Sequence, residues 1–343
     1  MKYPLITVLI TTYNRSELLR HAIQSVLNQT LKNIEIIILD DASPDDTKNV
    51  VASYSDKRIT YLRQIKNVGF TQNFKTGIKK AQGTYIFLLS DDDMILRPNS
   101  LEVLYNEIKK VKAGVGAMSL LFYEHDMSKP TYRFSAKENT FHLPPSPSNM
   151  LKVFNWHFGF MSGNIYLRDL IRMSDIEDDL WVAHLKPLYR ALISHGCLYL
   201  GSHYILGHIS THGNIKHLDV RVNDGYHLRK QIDMYKDLDT NKDRQKLFIK
   251  MAVEGVSGSL IGVKYYSSNI NTLAIALELR RLYPSITHAA SYWLNLIVAL
   301  MLPKSILSII RSLHLVFKSH QLSSIITPIG IDTYLKFILK PSK

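Results

Sequence analysis

The sequence contains a single cysteine, Cys197, among its 343 residues. One thiol excludes an internal disulfide framework and a metal site built from several cysteines, and it fits a reducing compartment. Because Leu198 and other apolar residues follow it, we expect Cys197 to be a small buried hydrophobic residue rather than a reactive one.

Long hydrophobic runs are also absent. The longest apolar stretch near the C-terminus, residues 289–302, contains Asn295 and is shorter than the roughly 20 residues that span a bilayer. The first residues lead almost directly into a strand-like run, without a cationic segment or a cleavage site, and this predicts no secretory signal. These features favour a cytoplasmic protein.

Positive charge is in excess and unevenly placed. The chain has 42 Lys and Arg against 29 Asp and Glu, and residues 241–343 alone have 13 against 4. Such an excess at one end indicates an anionic partner: phospholipid, nucleic acid or a phosphorylated ligand. Basic and aromatic residues are not interleaved, which disfavours nucleic acid. The apolar content of 46% predicts a packed core.

Apolar runs alternate with amphipathic segments over the first 120 residues. The runs lie at residues 5–10, 34–39, 59–62, 85–89 and 114–121. Strands that alternate with helices predict an α/β fold with a mostly parallel sheet. The rhythm breaks after residue 121, a helix is predicted over 180–193, and the chain from 226 onward has a helical and basic pattern. We therefore predict a domain of residues 1–225, with halves 1–120 and 121–225, and a helical C-terminal region, 226–343.

Acidic residues follow two of these predicted strands. Asp40 and Asp41 end the second, and Asp91, Asp92 and Asp93 end the fourth. The carboxyl ends of parallel strands meet at the ligand-binding edge of a sheet. Adjacent carboxylates repel one another unless a cation lies among them, and oxygen ligands favour Mg²⁺ or Mn²⁺. A solvated acidic turn and a helix-capping turn are the alternatives for the two groups.

Short segments with a characteristic order follow one another along the chain: Thr-Thr-Tyr-Asn-Arg at 11–15, Ser-Val-Leu-Asn-Gln-Thr at 25–30, Ile-Ile-Ile-Leu-Asp-Asp-Ala-Ser at 36–43, Asn-Val-Gly at 67–69, Gln-Asn at 72–73, Ala-Gln-Gly at 81–83 and the three acids at 91–93. In this order they resemble the motifs of family-two glycosyltransferases, which are inverting enzymes with the GT-A fold. The resemblance implies a Rossmann-like nucleotide-sugar domain. It is close over about 120 residues and loose over about 80 more.

The resemblance also implies roles for individual residues. Tyr13 would flank the base, Asp41 would accept hydrogen bonds from it, and Arg15 would reach the diphosphate. Asp93 would be the principal ligand of Mn²⁺ or Mg²⁺, with Asp91 assisting. The full set implied for donor binding is Thr11, Tyr13, Arg15, Asp40, Asp41, Asn67, Asn73, Asp91 and Asp92. Where the family often has arginine, this chain has Gln72, so one cation of the donor site is missing.

The catalytic base is less clearly marked. An inverting transfer needs a group that takes the acceptor proton, and the family usually supplies an Asp or Glu at the start of a helix. The corresponding position here is His184, which can act as a base at neutral pH. Asp179, slightly earlier, is the other candidate, and it can equally be a helix cap. Trp181 can stack on an acceptor sugar or lie in the core.

The histidines between His195 and His217 raise the question of zinc. Their spacing fits no familiar zinc site and no HExxH motif occurs, so we expect them on a loop near the acceptor cleft. The segment Ser-Gly-Asn at 162–164 resembles the part of the family's sheet that faces the acceptor. The QxxRW signature of processive synthases is absent.

The sequence thus predicts inverting transfer of a single sugar from a nucleotide-sugar to a hydroxyl of a glycan or lipid-linked glycan, in bacterial surface polysaccharide biosynthesis. The main alternative is a non-catalytic nucleotide-sugar-binding or scaffold protein. A nucleotidyltransferase is disfavoured because its glycine-rich phosphate loop is missing. The basic, apolar-faced C-terminal helices predict peripheral attachment to the inner face of the plasma membrane; packing on the catalytic domain or a dimer seam is the alternative.

Overall fold

The computed structural model describes residues 3–123, 127, 132–134, 140–153, 160–176, 183–208, 226–258, 260–261, 264, 268–307 and 309. These residues fall into two compact units, one containing residues 3–208 and the other residues 226–309. The domain boundary predicted near residue 225 lies outside the described residues.

The first unit is built on one sheet. Its strands are β1 (Ile6–Thr12), β2 (Ile34–Asp40), β3 (Ile59–Arg63), β4 (Tyr85–Ser90), β5 (Asp93–Ile95), β6 (Val115–Tyr123), β7 (Tyr132–Phe134), β8 (Phe141–Leu143), β9 (Asn164–Leu167) and β10 (Cys197–His208). Its helices are α1 (Ser16–Leu27), α2 (Thr47–Ala52), α3 (Phe70–Lys80), α4 (Ser100–Val111), α5 (Pro147–Val153) and α6 (Leu185–His195).

The strand order is β3-β2-β1-β4-β9-β6-β10-β5, with β7 beside β6 and β8 beside β10. Strands β3, β2, β1 and β4 run parallel, as do β6 and β10. Each antiparallel pair joins only three residues per strand, so most pairing is parallel. Val8, Leu9 and Ile10 are completely buried because helices cover both faces of such a sheet. The predicted α/β fold with a mostly parallel sheet is confirmed.

Strand β10 is longer than the sequence indicates. The sequence pattern predicts that the histidines between His195 and His217 lie on a loop. The strand instead continues to His208, with a shift of register between Leu200 and Tyr204. The expectation of a loop is therefore wrong for His203 and His208. The reason is that β6 pairs with both parts of β10 and β5 pairs with its second part, so the backbone stays paired beyond the irregular step.

The start of α1 also differs from expectation. Serine is a residue type that often caps helices, but here Arg15, rather than Ser16, occupies the N-cap position and makes no side-chain cap hydrogen bond. The Ser16 N–H instead donates to Asp45 Oδ2 at 2.8 Å. A second oxygen of Asp45 accepts from the Thr47 N–H at 3.2 Å. One carboxylate therefore satisfies the first turns of α1 and α2, which both follow the ligand-binding edge.

Helix α6 ends as predicted at a glycine. Gly196 has φ of +74°, and a Cβ there would lie 2.4 Å from the Leu143 carbonyl oxygen. Only glycine meets both conditions without strain. Cys197 follows and is completely buried, as expected. Burial raises the pKa of its thiol to about 12, so it is not a reactive thiolate.

The second unit is helical over the residues that the structure describes, as predicted. Its helices are α7 (Tyr226–Leu238), α8 (Lys242–Gly258), α9 (Asn269–Leu282) and α10 (Ala290–Met301). Tyr235 stacks on Phe248 with ring centroids 4.1 Å apart, which joins α7 to α8. None of the described helices combines the length and apolarity that crossing a bilayer requires.

Replacement of Gly83 by alanine should destabilise the first unit. This glycine lies between α3 and β4, and a Cβ there would be 2.4 Å from the Thr7 backbone nitrogen. Because backbone cannot rotate away, we expect a loss of about 2–3 kcal/mol and a fall in Tm of roughly 5–10 °C. Gly77→Ala is the control: its Cβ would meet the end of the Leu39 side chain, and alanine favours the helix by about 1 kcal/mol. Equal Tm values for the two variants, measured by calorimetry, would contradict this account.

Candidate active site

The turns that follow β1, β2 and β4 are joined by hydrogen bonds. The Asp41 N–H donates to the Thr12 carbonyl oxygen at 3.0 Å, which links the end of β2 to the end of β1. The Asn14 N–H donates to Ser43 Oγ at 3.0 Å. The Tyr13 N–H donates to Asp91 Oδ2 at 3.3 Å, which links the end of β1 to the acidic turn. The three predicted motifs therefore lie side by side.

Asp41 holds the turn before α3. Its two carboxylate oxygens accept from the backbone N–H groups of Val68 and Gly69, at 2.8 and 2.9 Å. Gly69 has φ of +81°, a conformation that disfavours other residues. Asn67 Oδ1 also accepts from the Gly69 N–H, at 3.2 Å. The Asp41 carboxylate is 5% exposed, and its remaining lone pairs are the ones available to a ligand.

Asp40 is completely buried below this turn. Its Oδ1 accepts from the Ser43 N–H at 2.8 Å, and its Oδ2 accepts from Arg63 Nη1 at 2.6 Å and from the Tyr61 hydroxyl. Burial and the bond to Asp40 raise the pKa of Tyr61 to about 12. Sequence reasoning did not identify Tyr61 and Arg63. Their spacing of two places them on one face of β3, and that is the signal that could have found them.

Asn73 anchors α3 to the sheet. Its Nδ2 donates to the Leu39 carbonyl oxygen at 2.9 Å, and its Oδ1 accepts from Gln64 at 3.1 Å. The side chain is 1% exposed. Thr11, another candidate for donor binding, is half-buried at the end of β1, while the ring of Tyr13 is 45% exposed at the rim of the site.

Arg15 bridges two of the three adjacent acids. Its Nη1 lies 3.1 Å from Asp91 Oδ1 and 2.8 Å from Asp92 Oδ2. Asp91 is 2% exposed. Burial, and then the charge of Asp92, raise the pKa of Asp91 to about 7, although Arg15 acts in the opposite direction. Two acids and one guanidinium thus share one turn, in which Asp91 is buried and Arg15 is partly exposed, and the cation offsets part of the repulsion between the acids.

Asp93 begins β5 and lies deeper than its neighbours. It is 1% exposed and pairs with Gly207 of β10. A Cβ at Gly207 would lie 3.0 Å from Asp93 Oδ1, so glycine leaves room for the carboxylate. Burial, and then the charges of Asp93 and Asp92, raise the pKa of Tyr123. Tyr123 and Gly207 are therefore neighbours of the acidic cluster that sequence reasoning missed, because both belong to strands distant in sequence.

The chemistry of the acidic turn fits a hard divalent cation. Among the described residues, no group of three or more His, Cys, Asp or Glu is arranged as a complete metal cage. Mg²⁺ and Mn²⁺ sites at phosphates need fewer protein ligands, since one or two carboxylates are completed by phosphate and water oxygens. Asp91 and Asp93 supply two such carboxylates. The residues present therefore fit a cation that is bound together with a phosphorylated ligand.

Removal of the Arg15 cation should destabilise the protein in a pH-dependent way. A buried acid whose pKa is raised in the folded state adds to the free energy of unfolding. For Asp91 this contribution is complete below its unfolded pKa of about 4, and it is lost as the pH rises through its folded pKa of about 7. Arg15→Gln removes the opposing cation and should raise the pKa of Asp91 further, so the loss of stability relative to wild type should be about 1–2 kcal/mol larger at pH 8 than at pH 5. The loss of the contact between Arg15 and Asp92 adds to it at both pH values. Urea unfolding at the two pH values checks this, and a loss independent of pH would contradict it.

The segment that precedes β9 docks on the end of β4. Ser162 Oγ accepts from the Ser90 N–H at 2.8 Å, directly before the acidic turn. Gly163, with φ of +86°, donates its N–H to the Leu88 carbonyl oxygen at 3.0 Å. Asn164 is 1% exposed, and its amide donates to the Phe160 carbonyl oxygen at 2.6 Å. This segment forms the wall of the site next to β4.

Of the two candidate bases, only His184 lies within the described residues. His184 precedes α6 and is 2% exposed, and its backbone carbonyl accepts from the Tyr166 hydroxyl at 3.4 Å. Asp179 and Trp181 lie outside the described residues. The structure therefore brings the donor and metal candidates together at one edge of the sheet, whereas the hydrogen bond described for His184 joins it to Tyr166 of β9.

The sequence model of glycosyl transferase family 2 matches residues 7–171, the stretch that contains the three joined turns. The chain carries a glycosyl transferase family 2 domain. Within it lie the acidic turn, the Asp41 turn and the wall segment described above. The family expected from the sequence motifs is thereby confirmed for residues 7–171.

Several bacterial glycosyltransferases resemble this domain. The GalNAc(5)-diNAcBac-PP-undecaprenol beta-1,3-glucosyltransferase of Campylobacter jejuni is 38% identical over 137 residues, which are 39% of this chain and 43% of the relative. Glycosyltransferase GlyG of Streptococcus pneumoniae is 33% identical over 132 residues, or 38% of this chain and 43% of that protein. The chain thus matches less than half the length of either relative.

The structure of TarS 1–349 from Staphylococcus aureus, solved in complex with UDP-GlcNAc, resembles a larger part of the chain. The two share a TM-score of 0.52 at 14% identity, over 82% of this chain and 91% of that one. This likeness concerns the fold, and it agrees with the GT-A type of family 2 domain.

Proposed function

We propose that the protein is an inverting glycosyltransferase that moves one sugar from a nucleotide-sugar to a hydroxyl group of a glycan. The observation that carries the proposal is the joining of the Asp41 turn and the acidic turn through Thr12, Tyr13 and Asp91. A nucleoside diphosphate needs a base-binding group and a charge-neutralising group at a fixed separation. The joined turns offer both within a family 2 domain.

In this proposal the donor lies along the ends of β1, β2 and β4. Asp41 accepts hydrogen bonds from the base with the lone pairs that Val68 and Gly69 leave free, and the exposed ring of Tyr13 flanks the base. Asp92 faces the ribose. Arg15 exchanges its contacts with the acids for the diphosphate, because a guanidinium binds phosphate oxygens in the same forked geometry as carboxylates.

Asp93, assisted by Asp91, would hold Mn²⁺ or Mg²⁺. When bound, such a cation acts as a Lewis acid that stabilises the negative charge on the departing diphosphate. The protein's own residues orient the donor against this charge and limit the access of water, since Asp91 and Asp93 are each at most 2% exposed.

The acceptor hydroxyl must lose a proton as the new bond forms. His184 and Asp179 remain the candidate bases, and the 2% exposure of His184 favours Asp179, because an acceptor must be able to reach the base. We expect Asp179→Asn to lower kcat by about 10²–10⁴-fold and His184→Gln to lower it by less than tenfold. Steady-state kinetics with saturating donor checks this. The reverse order of the two effects would assign the base to His184.

We also propose that the acceptor is lipid-linked and belongs to surface polysaccharide biosynthesis, and that the protein attaches to the inner face of the plasma membrane. The similar Campylobacter jejuni enzyme carries an undecaprenol-linked substrate in its name. The cationic excess of residues 241–343 suits an anionic leaflet.

The experiment for the activity uses purified full-length protein, Mn²⁺ and a panel of UDP-, GDP-, CDP- and dTDP-sugars. Thermal stabilisation selects the donor, because a bound ligand raises apparent stability by mass action. Release of nucleoside diphosphate in the presence of an acceptor glycan then measures turnover. Stabilisation by a donor without any release would instead support the non-catalytic binding protein.

A further inference from the structure

Exposed apolar side chains are concentrated in the second unit. Among the described residues, ten large apolar side chains are exposed there, against three in the first unit. The ten are Leu247, Ile270, Leu273, Leu277, Trp293, Leu294, Ile297, Met301, Ile306 and Ile309. Scattered exposed apolar residues are ordinary, but a concentration on neighbouring helices marks an interaction surface.

Helix α9 is apolar on two sides. Ile275, Ala276 and Leu279 are buried against the rest of the unit. Ile270, Leu273 and Leu277 are 80%, 44% and 56% exposed. Their spacing of three and four residues places these three on one outward stripe.

Helix α10 repeats this arrangement. Tyr292, Leu296 and Ala299 are buried, and the Tyr292 hydroxyl donates to the Ala276 carbonyl oxygen at 3.0 Å, which fastens α10 to α9. The outward stripe of α10 consists of Trp293, Leu294, Ile297 and Met301, with exposures between 44% and 76%. The Trp293 indole N–H donates to the Thr287 carbonyl oxygen at 2.8 Å. Its polar group is thus satisfied within the protein while the ring faces outward.

Cations border both stripes. Arg280 and Arg281 follow Leu277 by three and four residues, so they continue the outward stripe of α9, and both are exposed. Lys304, also exposed, follows Met301 by three residues. Glu278 is the only acid between residues 268 and 309. It is 9% exposed and lies 2.9 Å from Arg229.

We infer that these two stripes, the α9–α10 face, lie on an anionic lipid surface. This deepens the membrane attachment of the proposed function and rests on it. A second copy of the chain fits the face poorly. A two-fold interface that buried this face would bring the cations of both copies into one interface, and residues 268–309 offer no exposed acid to pair with them. An anionic leaflet offers charge complementarity to the arginines and an apolar boundary to the stripes.

The helix lengths suit an interfacial position. Helix α10 has 12 residues and is therefore about 18 Å long, too short for the hydrocarbon core. An amphipathic helix instead lies in the plane of the interface with its apolar side between headgroups and acyl chains. Aromatic rings such as that of Trp293 are enriched at this depth.

Flotation of the full-length protein with vesicles of phosphatidylglycerol and phosphatidylcholine tests this assignment. Leu277→Gln with Ile297→Gln removes apolar area without changing charge and should weaken partitioning by at least about tenfold. Arg280→Gln with Arg281→Gln should weaken it by about 30-fold at low salt, since each arginine near an anionic surface contributes about fivefold. The control is Leu247→Gln: Leu247 is 46% exposed on α8 among Asp243, Lys250 and Glu254, and this variant should float as wild type does.

Three results would overturn the inference: failure of the wild type to float, equal loss in Leu247→Gln, or conversion of a dimer to a monomer by the Leu277 and Ile297 changes with vesicle binding intact. The last result would assign the face to a second copy. A fluorescence readout on the wild-type protein guards against misfolding of the glutamine variants. Brominated lipids should quench wild-type tryptophan fluorescence, and Trp293→Phe should remove the quenched component. Turnover with a soluble acceptor, measured without vesicles, separates failure of this surface from failure of the proposed activity.

Discussion

Asp93→Asn should lower turnover by at least about a thousandfold in a protein that remains folded. The side chain is 1% exposed and fits beside Gly207. Asparagine has nearly the same volume, so packing is retained. The change removes the charge that would hold the divalent cation against the leaving diphosphate. The stabilisation of the transition state that is lost is several kcal/mol. A loss of about 4 kcal/mol corresponds to a thousandfold lower rate.

The measurement is nucleoside diphosphate release at saturating donor, repeated over a range of Mn²⁺ concentrations. Asp46→Asn is the matched control, because Asp46 is an exposed acid at the start of α2. It should keep the wild-type rate. If Asp93→Asn retained more than a tenth of wild-type turnover, the assignment of Asp93 as the principal metal ligand would be wrong.

Asp41→Ala should raise the donor Kd by about a hundredfold and also lower stability. The carboxylate accepts from two backbone N–H groups, at 2.8 and 2.9 Å, and would accept further hydrogen bonds from the base. A hydrogen bond to a charged group contributes about 1.5–3 kcal/mol. Loss of the hydrogen bonds to the base accounts for the higher donor Kd. Loss of the hydrogen bonds from Val68 and Gly69 lowers the free energy of unfolding by about 2–3 kcal/mol.

Calorimetric titration with the donor measures the first effect, and urea unfolding measures the second. Asp45→Ala is the matched control, because the Asp45 carboxylate also accepts hydrogen bonds from two backbone N–H groups, those of Ser16 and Thr47. It should lose similar stability while its donor Kd stays within about threefold of wild type. If Asp41→Ala behaved in the same way as Asp45→Ala, Asp41 would serve only to hold its turn.

The donor half of the domain was predictable because its signals are local. An apolar run that ends abruptly in acids marks both the strand and the edge at which it ends, and this held for β2 and β4. Parallel pairing then brings those ends together without further information. The motifs that indicate the family are likewise short segments of consecutive residues, and they lie within residues 7–171.

Other features depend on contacts between distant segments. Tyr61 donates a hydrogen bond to Asp40, and Arg63 offsets its charge, only because β3 pairs with β2 in one register. Gly207 meets Asp93 only because β10 continues past an irregular step that reads as a break. The base stayed ambiguous for a related reason: His184 and Asp179 are five residues apart in the sequence, and no local pattern decides which one an acceptor reaches.

We propose that the turns after β1, β2 and β4 form one pocket in which Asp41 and Asp93 act on the same donor. Diffraction at the manganese edge from crystals soaked with Mn²⁺ and the selected nucleoside diphosphate tests it most directly. We predict a single anomalous peak at Asp93, with the diphosphate bound to it and the base within hydrogen-bonding distance of Asp41. A manganese peak at Asp93 with the base lying on another surface, away from Asp41, would contradict the account.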